Sequence, residues 1–70
     1  MTFHDWVYQN YTIENTIDGD VIDWGNGVKT PVSAFETFFN EAGQNAIDNN
    51  LDVKQELLKT EIGQQFKDYI

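Results

Sequence analysis

The sequence predicts an α+β fold in a single domain spanning residues 1–70. Apolar residues recur at helical spacing near the N-terminus and again throughout the second half. Between these regions, at about residues 20–30, apolar and polar residues alternate around a glycine-rich turn. Without cysteine, a chain of 70 residues must use most of its apolar side chains in one core. The expected order is a short N-terminal helix, a β-hairpin at about 20–30, and helices at about 33–48 and 52–69.

The N-terminal helix is predicted over residues 2–11, where Phe3 and Trp6 fall on one face. Thr2 is placed to cap it, and Asp5 lies in the first turn, where the helix dipole favours an anion. Residues 12–19 are mostly polar and lead into the sequence Asp18-Gly19-Asp20, so a loop or turn is predicted there.

The hairpin prediction depends on Gly25-Asn26-Gly27, which two short alternating runs flank. A three-residue loop at this point would bring apolar residues together on one face and opposite charges together on the other. The pairs that this loop implies are Trp24 with Val28, Ile22 with Thr30, and Asp23 with Lys29. A two-residue turn at Asn26-Gly27 is the alternative, and it would set Trp24 against Lys29.

The first long helix is predicted at about 33–48 because Pro31 ends the strand and Ser33 and Glu36 form a capping box. Gly43 should weaken the middle of this helix by about 1 kcal/mol relative to alanine. The predicted apolar stripe consists of Phe35, Phe38, Phe39, Ala42 and Ala46.

The last helix is predicted at about 52–69, with Asp52 and Gln55 able to cap its start. Its outer face alternates lysine with carboxylates, a pattern typical of a solvated helix. The residues that recur on its apolar face are Val53, Leu57, Leu58, Ile62, Phe66, Tyr69 and Ile70.

The residue inventory argues against catalysis. His4 is the single histidine, Ser33 is the single serine, and cysteine and arginine are absent, so no familiar triad can be assembled. Asp18, Asp20 and Asp23 lack the spacing of an EF-hand calcium loop. We therefore expect no catalytic residues, no metal site and no cofactor.

The charge distribution is the most informative functional feature. The net charge is −8, and residues 1–53 carry nine carboxylates against a single lysine, Lys29. Such a field repels nucleic acid and attracts a basic protein surface, and carboxylates can imitate a duplex backbone in a basic groove. An acidic surface that serves only solubility is the open alternative.

These observations predict a non-catalytic protein-binding module that inhibits or regulates a nucleic-acid-binding protein of a host. The predicted partner-binding residues are Tyr11, Glu14, Asp18, Asp20, Asp23, Trp24, Glu36 and Glu41. The alternative is a structural or oligomerising module that uses the last helix or the hairpin edge; the oligomeric state stays open. No signal peptide or membrane span is expected, so a cytoplasmic location is predicted.

Two resemblances accompany this prediction. The small size, the absence of cysteine and the concentrated acidity resemble the inhibitors that phages and mobile elements make, including anti-CRISPR, antirestriction and DNA-mimic proteins. The chain also resembles the YozE-like family of small bacterial proteins, which implies a SAM-like helical fold, no clear activity, and a helix where Gly25-Asn26-Gly27 lies. The segments that carry this second resemblance are Phe3-x-x-Trp6-Val7, Gly19-Asp20-Val21, Pro31, Phe38-Phe39-Asn40-Glu41-Ala42-Gly43 and Phe66-x-x-Tyr69.

Overall fold

A computed structural model describes all residues from Met1 to Ile70. The α+β class is confirmed, as is the order of an N-terminal helix, a hairpin and further helices. The elements are α1 (Phe3–Asn10), β1 (Thr12–Thr16), β2 (Gly19–Gly25), β3 (Val28–Pro31), α2 (Val32–Asp48), α3 (Val53–Leu58) and α4 (Glu61–Gln65). As predicted, Thr2 caps α1, and its hydroxyl oxygen accepts the backbone N–H of Asp5 at 3.1 Å.

The sheet has three antiparallel strands in the order β1-β2-β3. The prediction of a loop over residues 12–19 is therefore wrong, because Thr12–Thr16 is a strand that turns directly into β2. Ile13 lies opposite Ile22 and packs against the core, while Ile17 is fully exposed in the turn. A strand with a single inward apolar residue has too weak a period-2 pattern to be recognised from its sequence.

The β2–β3 hairpin closes with the two-residue turn that was the alternative, and not with the three-residue loop that the sequence analysis favoured. Asn26 and Gly27 both have positive φ angles, 53° and 78°, as a two-residue type I′ turn requires. The predicted pair of Trp24 with Val28 is wrong, because Gly25 occupies that position and Trp24 lies in a β-bulge. The bulge absorbs one residue and restores the rest of the predicted register. The pairs confirmed are Ile22 with Thr30 and Asp23 with Lys29. A hairpin, and not a helix, thus occupies this segment.

Helix α2 begins without the predicted capping box. Pro31 is the N-cap residue and makes no side-chain capping bond, and Ser33 lies inside the first turn. The Ser33 carbonyl accepts the Thr37 hydroxyl at 2.8 Å, while the Glu36 carboxylate contacts His4 on α1. The proline fixes a φ of −56°, so the chain passes from strand to helix without a polar cap.

The last predicted helix is divided in two. Asp52 caps α3 as expected, accepting the Gln55 N–H at 3.1 Å, but the helix ends at Leu58. The Thr60 hydroxyl donates to the Leu57 carbonyl at 2.7 Å and accepts the Gly63 N–H at 2.9 Å, which starts α4. A side chain on Gly63 would collide with the Leu57 carbonyl, so only glycine allows this tight corner.

The core lies between the inner face of the sheet and the helices. Phe35 lies at the centre of this core and is completely buried. Phe38, predicted to belong to the core stripe, is instead 48% exposed on the flank of α2, with its ring centroid 6.5 Å from those of Phe39 and Phe66. The buried apolar residues are Phe3, Val7, Ile22, Val32, Phe35, Phe39, Ala46, Val53 and Leu57. None of the helices has the length and apolar character needed to cross a membrane.

Candidate functional site

An acidic groove of about 320 Å³ lies between α1, the β1–β2 turn and the first turns of α2. Five of its lining residues have ionisable side chains, and we define the acidic groove by them: His4, Tyr8, Asp18, Asp20 and Glu36. Three of them are carboxylates that come from a turn, a strand and a helix, and no lysine lines the groove. The fold therefore brings together three of the predicted partner-binding residues.

Asp20 is the most firmly held carboxylate of the groove. One oxygen accepts the Tyr8 hydroxyl at 2.5 Å, and the other accepts the Asn15 side-chain amide at 2.6 Å. Both hydrogen bonds lower the pKa of the Asp20 carboxyl below its ordinary value, and the one from Tyr8 has the larger effect. The same hydrogen bond raises the pKa of Tyr8 to about 12, so Tyr8 remains a donor and Asp20 remains an anion around neutral pH.

His4 and Glu36 form the opposite wall of the groove. Nδ1 of His4 lies 2.5 Å from Oε1 of Glu36, and the imidazole ring packs on the Tyr8 ring with centroids 4.6 Å apart. The His4 side chain is 58% exposed, so the ring is accessible from solvent. The carboxylates of Asp20 and Glu36 lie beside the rings of Tyr8 and His4. This environment suits an ammonium or guanidinium group, because carboxylates attract its charge and ring faces favour it.

The sheet divides the predicted acids between its two faces. Successive residues of a strand point to opposite sides, so Asp20 faces the helices while Glu14 and Asp23 lie on the outer face. On that face Lys29 binds Glu14 at 2.6 Å, and this contact raises the pKa of Lys29. Asp23 accepts the Gly25 N–H at 2.9 Å. Glu14 and Asp23 therefore form a separate, partly neutralised site.

Tyr11 and Trp24, predicted as apolar anchors for a partner, are half-buried in an aromatic cluster inside the protein. Their ring centroids are 5.0 Å apart, and both rings pack on Phe35. Trp24 also donates its indole N–H to the Thr30 hydroxyl at 2.8 Å. The Tyr11 hydroxyl is buried without a hydrogen-bond partner, and burial raises the pKa of Tyr11 to about 12. Both rings therefore pack against the core of the protein.

Glu41 lies apart from the acidic groove, exposed on α2 beside Phe38 in a separate shallow depression. By contrast, His4 and Tyr8 belong to the groove although the sequence analysis did not select them as partner-binding residues. The signal that identifies them is their spacing, because residues four apart on a helix share one face. Across the chain, no group of three or more histidine, cysteine, aspartate or glutamate side chains is arranged to hold a metal ion.

Replacing Tyr8 with phenylalanine is expected to raise the pKa of Asp20 toward its ordinary value of 3.8, because the main hydrogen bond to the carboxylate is lost. A lowered folded-state pKa stabilises the fold above the unfolded pKa, and this contribution is lost as the pH falls through the folded pKa. The stability difference between wild type and Tyr8→Phe should therefore shrink in acid. Carboxyl ¹³C NMR titration checks the pKa, with Tyr69→Phe as a control that lies against Trp24 instead. An unchanged Asp20 titration would contradict the assigned bond.

In comparisons with known proteins, no family model matches the chain, and no curated protein or solved structure matches it.

Proposed function

We propose that this protein is a non-catalytic, acidic binding module that inhibits or regulates a nucleic-acid-binding protein by occupying its basic surface. The observation that carries the proposal is the convergence of Asp18, Asp20 and Glu36 on one groove that no lysine enters. We expect the protein to meet such a nucleic-acid-binding target protein in the cytoplasm, which is the compartment predicted from the sequence.

The geometry supports a division of roles within the groove. Asp20 is held in place by two hydrogen bonds, so it presents a fixed negative charge without further ordering. Asp18 is exposed in the turn and is free to adjust to a partner. A lysine or arginine side chain entering the groove would meet these carboxylates and the rings of His4 and Tyr8. The partner's phosphate-binding residues are of this type, which is the basis for competition with nucleic acid.

Long-range attraction strengthens the proposal for a protein of this charge. A net charge of −8 on 70 residues accelerates encounter with a basic surface, and salt weakens this attraction because the Debye length falls to about 8 Å at physiological ionic strength. Of the predicted partner-binding acids, Glu14 alone is bound to a lysine and Glu36 alone to a histidine. Asp18, Asp20, Asp23 and Glu41 make no salt bridge and remain available to a partner.

The test is a groove variant in which Asp18 and Asp20 become asparagine and Glu36 becomes glutamine. Immobilised wild-type protein should capture a basic protein from host lysate at low salt, release it at high salt, and release it on addition of duplex DNA. We expect the groove variant to retain less than about a tenth of this capture, because several charge-assisted contacts are lost together.

The matched control changes three carboxylates of the charge-balanced C-terminal segment, Glu56, Glu61 and Asp68, to their amides. It alters the net charge equally but leaves the acidic groove intact, so it should capture the target almost as well as wild type. Equal losses in both variants would show that only total charge matters. Capture that persists at high salt and is indifferent to DNA would contradict the proposed function.

A further inference from the structure

The two edges of the sheet are protected very differently. β3 is an edge of four residues that carries Lys29 and Pro31 and pairs with β2 through a bulge. Lysine, proline and bulges are the devices by which natural proteins block the addition of another strand. β1 is an edge of five residues with neither a lysine nor a proline, and its register with β2 is regular. The β1 edge is therefore the open side of the sheet.

The outward-facing backbone groups of β1 follow from its turn. The two-residue turn at 17–18 makes Thr16 and Gly19 the closing pair, and the closing pair of a two-residue hairpin is a hydrogen-bonded pair of the ladder. Because bonded and non-bonded pairs alternate along an antiparallel ladder, Ile13 and Asn15 direct their N–H and C=O groups away from β2. β2 is the only element in extensive contact with β1. These four backbone groups accordingly face solvent.

The charged side chains around β1 determine which kind of strand can pair with this edge. Glu14 lies at the centre of the strand, Asp18 is in its turn, and Asp20 is paired with Asn15. Lys29 reaches Glu14 from the far strand, and Lys54 lies 5.6 Å from the Tyr11 ring centroid, just before the strand.

A second copy of the protein is a poor occupant. Antiparallel pairing of two β1 strands about their centre would place Glu14 opposite Glu14, and in any register each copy carries a net charge of −8. Like charges directly opposite one another destabilise a strand pair.

We infer that the β1 edge accepts an added strand from an extended, lysine- or arginine-bearing segment of the partner protein. This inference rests on the proposed function, because the same acids attract the partner. Backbone hydrogen bonds from Ile13 and Asn15 supply the anchoring, and Asp18 and Asp20 at the turn end of β1, which make no salt bridge, select a basic segment. Salt-dependent attraction then draws the partner in, while a salt-independent ladder holds it in register.

Two synthetic probes separate strand addition from simple charge attraction. The first is a capped peptide of alternating lysine and threonine, which can form a strand. The second is a capped peptide of alternating lysine and proline, which has the same charge but lacks the N–H donors of half its residues. We expect the lysine–threonine peptide to bind at least about tenfold more tightly at low salt, because several ladder hydrogen bonds are lost in the other. Fluorescence anisotropy measures both affinities.

Amide hydrogen exchange locates the binding. In the free protein the Ile13 and Asn15 amides should exchange fast and the Glu14 amide slowly; saturating lysine–threonine peptide should slow the first two at least tenfold. Asn15→Pro, which removes one outward N–H, should weaken binding several-fold more than Asn15→Ala, which removes only the side chain. If Asn15→Pro does not fold, the exchange pattern of the wild-type protein decides by itself.

The possible outcomes distinguish this inference from the proposed function. Equal binding of the two peptides, with Ile13 and Asn15 exchange unchanged, would overturn strand addition and leave the acidic groove as the docking site. Protection of β1 that is insensitive to salt and to the groove variant would support strand addition but contradict the electrostatic function. Failure of both peptides to bind at low salt would contradict both. Concentration-dependent dimerisation through β1 would replace the basic segment with a second copy.

Discussion

Replacing Phe35 with alanine is expected to remove a large part of the protein's stability. The side chain is fully buried, and its removal would leave a cavity where helix, sheet and C-terminal segment meet. Truncation of a fully buried phenylalanine to alanine costs about 3–5 kcal/mol, whereas a domain of this size has a total stability of about 4–10 kcal/mol. The rings that contact Phe35 are Phe3, Tyr11, Trp24, Phe39 and Phe66, at centroid distances from 4.8 to 6.2 Å.

The matched control for this prediction is Phe38→Ala. Phe38 lies three residues further along the same helix, but it is 48% exposed. Its truncation should lower the free energy of unfolding by less than about 1 kcal/mol, since partly exposed side chains lose little burial. Urea unfolding followed by tryptophan fluorescence measures both variants. Similar losses for Phe35→Ala and Phe38→Ala would contradict the assignment of Phe35 as the centre of the core.

Replacing Gly43 with alanine is expected to destabilise the protein, although helix propensity by itself predicts a gain of about 1 kcal/mol. A methyl group on Gly43 would lie 2.8 Å from Cγ of Phe3 and still closer to two other carbons of that ring. Phe3 is fully buried, so its ring has little freedom to move. Overpacking of this kind costs about 1–3 kcal/mol, so after the propensity gain we expect a net loss of up to about 2 kcal/mol.

A double-mutant cycle tests this explanation. Phe3→Leu removes the ring that the new methyl group would strike, so the Gly43→Ala penalty should largely disappear in the Phe3→Leu background. Asn40→Ala, at an exposed position of the same helix, measures the gain from propensity alone and should be neutral or slightly stabilising. A Gly43→Ala variant more stable than wild type would show that α1 and α2 are packed less closely than described.

The sequence predicted the elements that depend on local chemistry. Thr2 and Asp52 cap helices because a short polar side chain can reach the free N–H groups of the first turn. A hairpin was predicted at Gly25-Asn26-Gly27 because such residues accept positive φ, although its two-residue turn was the alternative to the favoured loop. The strand at 12–16 and the division of the last helix were missed. β1 exists because β2 pairs with it, and the corner at Thr60 depends on a close approach of Gly63 to Leu57.

The candidate site could be predicted only in part, for a related reason. Composition identified a surplus of carboxylates, and Asp18, Asp20 and Glu36 were among the residues selected. Their grouping around His4 and Tyr8 was not accessible, because it joins residues up to 32 positions apart.

The sequence by itself determined the α+β class, the hairpin turn, the helix starts at Thr2 and Asp52, and the negative charge, since each follows from the properties of neighbouring residues or from composition. Only the tertiary structure decided which acids share a groove and which lie beside Lys29 on the other face of the sheet. It also decided that β1 has an open edge. The physical reason is that side-chain direction in a strand depends on register, and register is fixed by pairing with distant residues.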